Sequence, residues 1–240
     1  MFYIVMIAVW ELGYRLAGFP SPLIVVDEIR KLSGDNTLGV AILISIKRLI
    51  MGYFISLLIG LPLGVIMTRL KYSGKSLSKL IGALQTMPNV CWVPFAILWY
   101  GTNEKAILFV IVIGSVFAIS MGTEAGIKNL NPTYLRVASM AGAKGYMLYR
   151  NVIIPAALPM IVSGLKQGWA FAWRGLIAGE MIGSSMNGLG QILGEGRKAN
   201  DINQIVAIMF VIIILGLLFD RFVFDKIQDN INRKFGLTEN

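Results

Sequence analysis

Arg174 and Glu180 are ionisable side chains inside a long apolar run, Met160 to Ile182, that also carries Lys166, Gln167 and Trp173. A charge at membrane depth is costly, so each is a functional hypothesis by default. Six residues apart on a helix, they sit about 120° from each other around the axis and do not pair within it. Arg174 suits an aqueous pathway that favours anions. The competing reading is structural: a pairing with another helix, or snorkelling toward an interface. A second polar group, Gln85-Thr86-Met87-Pro88-Asn89, interrupts the run from Leu80 to Tyr100. A helix broken at mid-depth is tolerated only where it is buried in protein or faces water. The break is therefore a pathway element, or else a simple proline kink packed against its neighbours. The expected pathway residues are Gln85, Pro88, Asn89, Trp92, Trp173, Arg174 and Glu180.

Catalytic chemistry has little to work with. There is no histidine and one cysteine, Cys91. That removes haem ligation, most zinc sites and the usual general base, and it forbids an internal disulfide. Gly74-Lys75-Ser76 looks like the end of a phosphate loop, but Arg69 stands where the first glycine belongs. Gly188-Leu189-Gly190 with Gly194 has the wrong spacing for a dinucleotide fingerprint. Proline at 132 disqualifies Asn131-Pro132-Thr133 as a glycosylation site. The expectation is a chain without catalytic residues, metal ligands or a cofactor of its own.

The chain has 240 residues, 56% of them hydrophobic and 15% charged, with a mean hydropathy of +0.69. Apolar runs of roughly 20 residues, long enough to cross a bilayer, recur along it. The fold class is all-α integral membrane, a single transmembrane domain over 1–240 with about six spans. These are Met1 to Ala17, Leu49 to Thr68, Leu80 to Tyr100, Ala106 to Gly122, Met160 to Ile182 and one beginning at Ile205. The first is read as a retained span because it lacks a basic leader and a cleavage site. Gly18 to Asn36 is expected on the membrane surface. Lys47-Arg48 is expected near an interface, because two charges in mid-span are costly. Gly52, Ser56, Gly60 and Gly64 recur four apart on one face, which permits close helix approach within the chain or across a dimer.

The net charge of +9 reads as loop charge rather than as a nucleic-acid surface. The 69–79 loop, the 125–158 stretch and the tail from 220 together hold twelve Lys and Arg. The opposite loops hold five (Arg30, Lys31, Lys105, Arg197 and Lys198), or seven with Lys47 and Arg48. That asymmetry puts the 125–158 stretch and both termini in the cytoplasm. From Asn131 to Pro159 the chain is a basic interruption between apolar runs. Asn131-Pro132 is a cap followed by proline at a first helical position, and Gly142 then breaks the helix. A compact basic helix-turn-helix between the fourth and fifth spans is a docking surface.

That stretch resembles the cytoplasmic loop of permease subunits of ATP-binding-cassette importers, the binding-protein-dependent inner-membrane component family. The family loop reads Glu-Ala-Ala, three residues, Gly, nine residues, then Ile-x-Leu-Pro. Here the same spacing holds Arg136-Val137-Ala138, Gly142 and Val152-Ile153-Ile154-Pro155. Ala138 to Ala143, Pro155 to Pro159, Ser163-Gly164-Leu165, Ala172-Trp173, Gly179-Glu180-Met181, Gly188-Leu189-Gly190, Pro88 and Trp99-Tyr100-Gly101 are similar to the nitrate, sulfonate and taurine branch. The resemblance implies a six-span permease of a bacterial-type inner membrane, working as a dimer whose expected partner is a second copy of the chain.

It implies further that Arg136, Val137, Ala138, Gly142, Ala143, Lys144, Tyr149 and Pro155 form a coupling element that docks on a separate ATPase subunit. ATP and Mg would be used by that partner. An extracytoplasmic solute-binding protein would deliver a small anion, and ATP-driven closure would switch the pathway between its two open forms. Relatives in this branch also carry neutral heteroaromatic vitamin precursors. Arg136 stands where the family has glutamate, which predicts an acidic or neutral partner surface opposite it. A channel or exporter working without a binding protein would have no need of the 136–155 pattern.

Overall fold

The structure, a computed structural model, describes Trp10 and residues 20–70, 72–182 and 187–235. The first expected span, Met1 to Ala17, lies outside the described residues apart from Trp10. All regular elements among them are helical. Helix α1 (Pro22–Gly34) begins at Ser21, whose hydroxyl accepts the Ile24 N–H at 3.4 Å. It packs against the two helices α2 and α9.

Helix α2 (Thr37–Arg69) runs 33 residues without a break, so the second span begins well before Leu49. Lys47 and Arg48 lie inside it, not at its edge. Lys47 is exposed while Arg48 is buried, which is possible only because the guanidinium finds carboxylate partners. Helix α3 (Ser73–Gln85) ends at the expected polar group. A short turn over Asn89–Trp92 leads to α4 (Val93–Tyr100), and the two halves are bent by 97°. This is a broken helix and not a proline kink. Pro88 has extended backbone, φ −57° and ψ 136°, and a residue preceding proline is pushed out of the helical region.

Helix α5 (Glu104–Lys128) is the centre of the bundle. Its apolar window is 67% buried, against 22 to 33% for the other span-length helices. It lies between α2 and α7 (Gly145–Ile182), and small residues allow the approach. A methyl group at Gly52 would sit 2.6 Å from Ile111 Cγ2, and one at Gly60 2.8 Å from Ile119 Cγ2. Gly168 of α7 meets the same Ile119, at 2.6 Å. Gly122 and Gly164 leave no room for a side chain on either. The four-residue glycine and serine repeat therefore packs within the chain.

Two short helices complete the pattern, α6 (Pro132–Met140) and α8 (Leu189–Lys198). Helix α9 (Ile202–Phe219) is capped by Asp201, which accepts the N–H groups of Asn203 and Gln204 at 3.0 and 3.1 Å. A π-helical turn (Asp220–Asp225) continues it into α10 (Lys226–Phe235). Lys166 of α7 bridges Asp220 at 2.9 Å and Asp225 at 3.2 Å, fastening that turn to the bundle. Among the described residues four helices are long and apolar enough to span, or five if the bent pair counts as one.

Candidate functional site

Residues from the broken span and α7 enclose a cavity of about 320 Å³ lined by Gln85, Pro88, Asn89, Val90, Phe171, Arg174 and Ala178, with Thr86 and Met87. Four of the expected pathway residues meet there. Asn89 donates a side-chain N–H to the Phe171 carbonyl at 2.7 Å, which pins the break against α7. It sits over Gly114 of α5, where a methyl group would come within 2.7 Å of its side-chain nitrogen. Arg174 is exposed and its guanidinium carbon lies 5.3 Å from the Phe171 ring centre, a cation–π distance. No carboxylate of the described residues lies within 4.0 Å of it.

Arg174 also faces a neighbouring cavity of about 500 Å³ between α7, α8 and α9, with Trp173 in its wall. Two expected pathway residues line neither space. Trp92 is half-buried in a separate apolar cluster with Phe117, their ring centres 6.3 Å apart. Glu180 is fully enclosed, at 0% exposure.

Glu180 belongs to a buried polar cluster. Its carboxylate accepts from Arg48 Nη1 at 2.8 Å, from the Ser45 hydroxyl at 2.8 to 2.9 Å, and from the Gly190 N–H at 3.0 Å. Ser45 in turn accepts the Leu189 N–H at 2.9 Å. Arg48 Nη2 reaches Glu104 at 3.4 Å. Three elements, α2, α7 and α8, thus meet at one carboxylate, and α5 joins them through Glu104 on Arg48. Gly188 and Gly190 are glycine because a side chain there would collide with Glu180; a methyl group at Gly190 would sit 2.6 Å from Glu180 Cβ. Sequence reasoning missed Ser45 and Arg48 here. The signal was the Lys47-Arg48 pair within an apolar run, together with a glutamate at membrane depth that lacked a partner on its own helix.

The stretch from Asn131 to Pro155 has the helix-turn form its sequence predicts. Asn131 accepts the Thr133 N–H at 2.9 Å, with Pro132 opening α6. The helix ends in a Schellman turn: Gly142 N–H bonds Ser139 O at 3.1 Å and Ala143 N–H bonds Ala138 O at 3.0 Å. Gly142 has φ of 80°, the left-handed region that favours glycine. Arg136 and Val137 are exposed and Ala138 is buried. Lys144 is extended and exposed, and Gly145 opens α7 with φ of 55°. Tyr149 is half-buried, with the Arg69 guanidinium carbon 4.4 Å from its ring centre. Pro155 lines a groove of about 420 Å³ with Tyr134 and Asn151. Between Tyr149 and Ile153 the chain is π-helical, because Pro155 has no N–H to give the carbonyl four residues back. Tyr134, Val137, Met140, Tyr146 and Met147 leave 57 to 87% of their surface open, a cluster of large apolar side chains at one end of the molecule.

This arrangement, a glycine-packed helical bundle with a broken span and an exposed capped turn, is that of an importer permease. Residues 60–236 match the family described as binding-protein-dependent transport system inner membrane component, and the chain belongs to that family. It is 30% identical over 91% of its length, and 81% of the relative's, to an aliphatic sulfonates transport permease, SsuC, of Bacillus subtilis. The nitrate import permease NrtB of Synechocystis is 26% identical over 91% of this chain and 83% of its own. Among solved structures, the inward-facing methionine transporter MetNI shares the fold with a TM-score of 0.70 at 19% identity, covering 81% of this chain and 96% of that one.

Proposed function

We propose that the chain is the membrane-spanning subunit of an ATP-driven importer that moves a small anion by alternating access. Arg174 carries the anion reading. It stands on the wall between two cavities at the broken span, without a carboxylate partner among the described residues. Its guanidinium is a cationic fork of N–H donors whose geometry suits an oxyanion. The sulfonate and nitrate relatives support the same class. In this reading the subunit has six spans and cytoplasmic termini in a cell membrane. Two copies pair, and a solute-binding protein delivers the substrate from outside. The 125–158 stretch docks on the ATPase subunit that binds ATP and Mg. The open apolar side chains around Gly142 are the surface the ATPase covers. A rigid helix-turn element anchored to packed spans carries its movement into the pathway.

Uptake by proteoliposomes containing the permease, its ATPase and its binding protein tests this. Labelled taurine, nitrate and alkanesulfonates are offered with and without ATP. ATP-dependent uptake of one of these anions is expected, and Arg174→Gln should lower it at least tenfold without dissociating the ATPase. Uptake of a neutral heteroaromatic solute alone, or full anion uptake by Arg174→Gln, overturns the anion assignment.

A further inference from the structure

Helix α3 presents two lysines that no carboxylate of the described residues answers. Its inner face, with Gly74, Leu77, Ser78 and Ile81, packs on α2 and α5. Its outer face carries Lys75, Ser76, Lys79 and Leu80, all exposed. Lys75 and Lys79 are one turn apart, which brings their stems within about 6 Å of each other. Neither has a carboxylate within 4.0 Å among the described residues. The chain has no Asp or Glu from Asn36 to Asn103, and none from Ala125 to Gly179. Glu124 of α5, which does approach α3, is buried and paired with Lys128. The other cation at this corner, Arg69, is engaged on the Tyr149 ring at 4.4 Å.

The level of this pair in the membrane follows from α5. Between Lys105 and Glu124 that helix carries no ionisable residue. The stretch rises about 28 Å, close to the roughly 30 Å of a hydrocarbon core. Glu124 thus marks one boundary of the bilayer, and the Ser78 hydroxyl donates to it at 2.7 Å. Lys75 and Lys79 stand within a turn of Ser78, and therefore at the level of the lipid headgroups. Beyond Lys79, toward the break at Gln85, the exposed face turns apolar with Leu80 and Ala83. At the other end Tyr72, 89% exposed, is a residue type that favours this interface. Gly74 lies too close to the Met67 carbonyl for a side chain, which fixes the start of α3 against α2.

We propose that the start of α3 is a binding site for an anionic phospholipid. Lys75 and Lys79 share the oxygens of its phosphate, and Leu80 and Ala83 meet its acyl chain. A zwitterionic lipid carries its own cation beside the phosphate, so the lysine pair favours a headgroup with net negative charge. The site is independent of the solute carried, and it goes beyond the import reading.

The permease with its ATPase, purified in detergent, is titrated with phosphatidylglycerol and with phosphatidylcholine of the same acyl chains. Bound lipid is counted by native mass spectrometry. Phosphatidylglycerol should bind roughly tenfold tighter or more, at about fivefold for each lysine. Lys75→Gln and Lys79→Gln should each weaken it by about that fivefold factor. The two together should bring it close to phosphatidylcholine, and Lys75→Arg with Lys79→Arg should keep it. Lys198→Gln, which removes the same charge from α8, should leave it unchanged. Each variant is checked for an unchanged thermal unfolding temperature. Undiminished binding in the double glutamine variant overturns the site, as does an equal loss in Lys198→Gln. Glycerol 1-phosphate bound as tightly as the lipid overturns the lipid assignment in favour of a free anion. Acylation of lysine amines in the unaltered protein, read by peptide mapping, tests the same site without a variant. Phosphatidylglycerol should protect Lys75 and Lys79 with the ATPase present or absent. Protection by the ATPase alone makes this corner an ATPase contact and overturns the proposal.

Discussion

Removing Glu180 leaves Arg48 charged among α2, α5 and α7 with only the partly exposed Glu104 beside it, at 3.4 Å. Breaking a buried pair from one side typically costs about 3 to 5 kcal/mol, while replacing both partners with apolar groups is often neutral. Glu180→Ala should therefore lower the unfolding temperature in detergent sharply, and the double exchange Arg48→Met with Glu180→Met should restore most of the loss. A double variant as unstable as the single one would show that the pair is not what holds these helices. Sequence gave the cost of each charge but not the pairing, because the partners are 132 residues apart and no periodicity connects them. It set Lys47-Arg48 near an interface for the same reason: two charges without known partners are cheapest there. What was legible at Arg174 was a charge inside an apolar run; that it would lie beside the break at Gln85 to Asn89 was not, because the two are more than eighty residues apart.

At the scale of the element, the turn after α6 was legible nearly whole. A cap, a proline and a helix-breaking glycine act within one or two turns of where they stand. Gly142 is not there for lack of space, since no atom lies within 4 Å of where its side chain would be. Its requirement is the φ of 80°, and for most residues a left-handed conformation costs roughly 1 to 2 kcal/mol. Gly142→Ala should therefore speed amide hydrogen exchange around residues 138–145 and weaken ATPase association. Gly142→Asn, which tolerates that conformation, should do neither. Equal exchange in both variants would remove the backbone argument. The π-helical segment before Pro155 had no counterpart in the sequence reading; proline marks a disturbance, but the form it takes depends on how the helix is held above it.

For the molecule as a whole, α5 sets the architecture by being the helix that both α2 and α7 touch through glycine. Gly168→Leu drives a side chain into Ile119, 2.6 Å from a methyl group at that position, whereas a methyl group at Gly216 has nothing within 4 Å, so Gly216→Leu begins in open space. Overpacking of this kind typically costs about 1 to 3 kcal/mol. The first variant should lose thermal stability and monodispersity on size exclusion, and the second should keep both. The repeat of small residues announced the contact in sequence. Which helix would receive it was settled only by the packing of three helices at once.

The distance along the chain between Arg48 and Glu180 has a consequence for how the protein is made. Arg48 enters the bilayer 132 residues before its partner exists, which at about 5 to 20 residues per second is an interval of roughly 7 to 26 s. Through that interval α2 must bear an arginine costing about 2.5 to 3.5 kcal/mol at a helix centre on the insertion scale. The mean hydropathy of 2.3 over its most apolar 18 residues is what lets it be accepted by the insertion machinery with the charge still waiting.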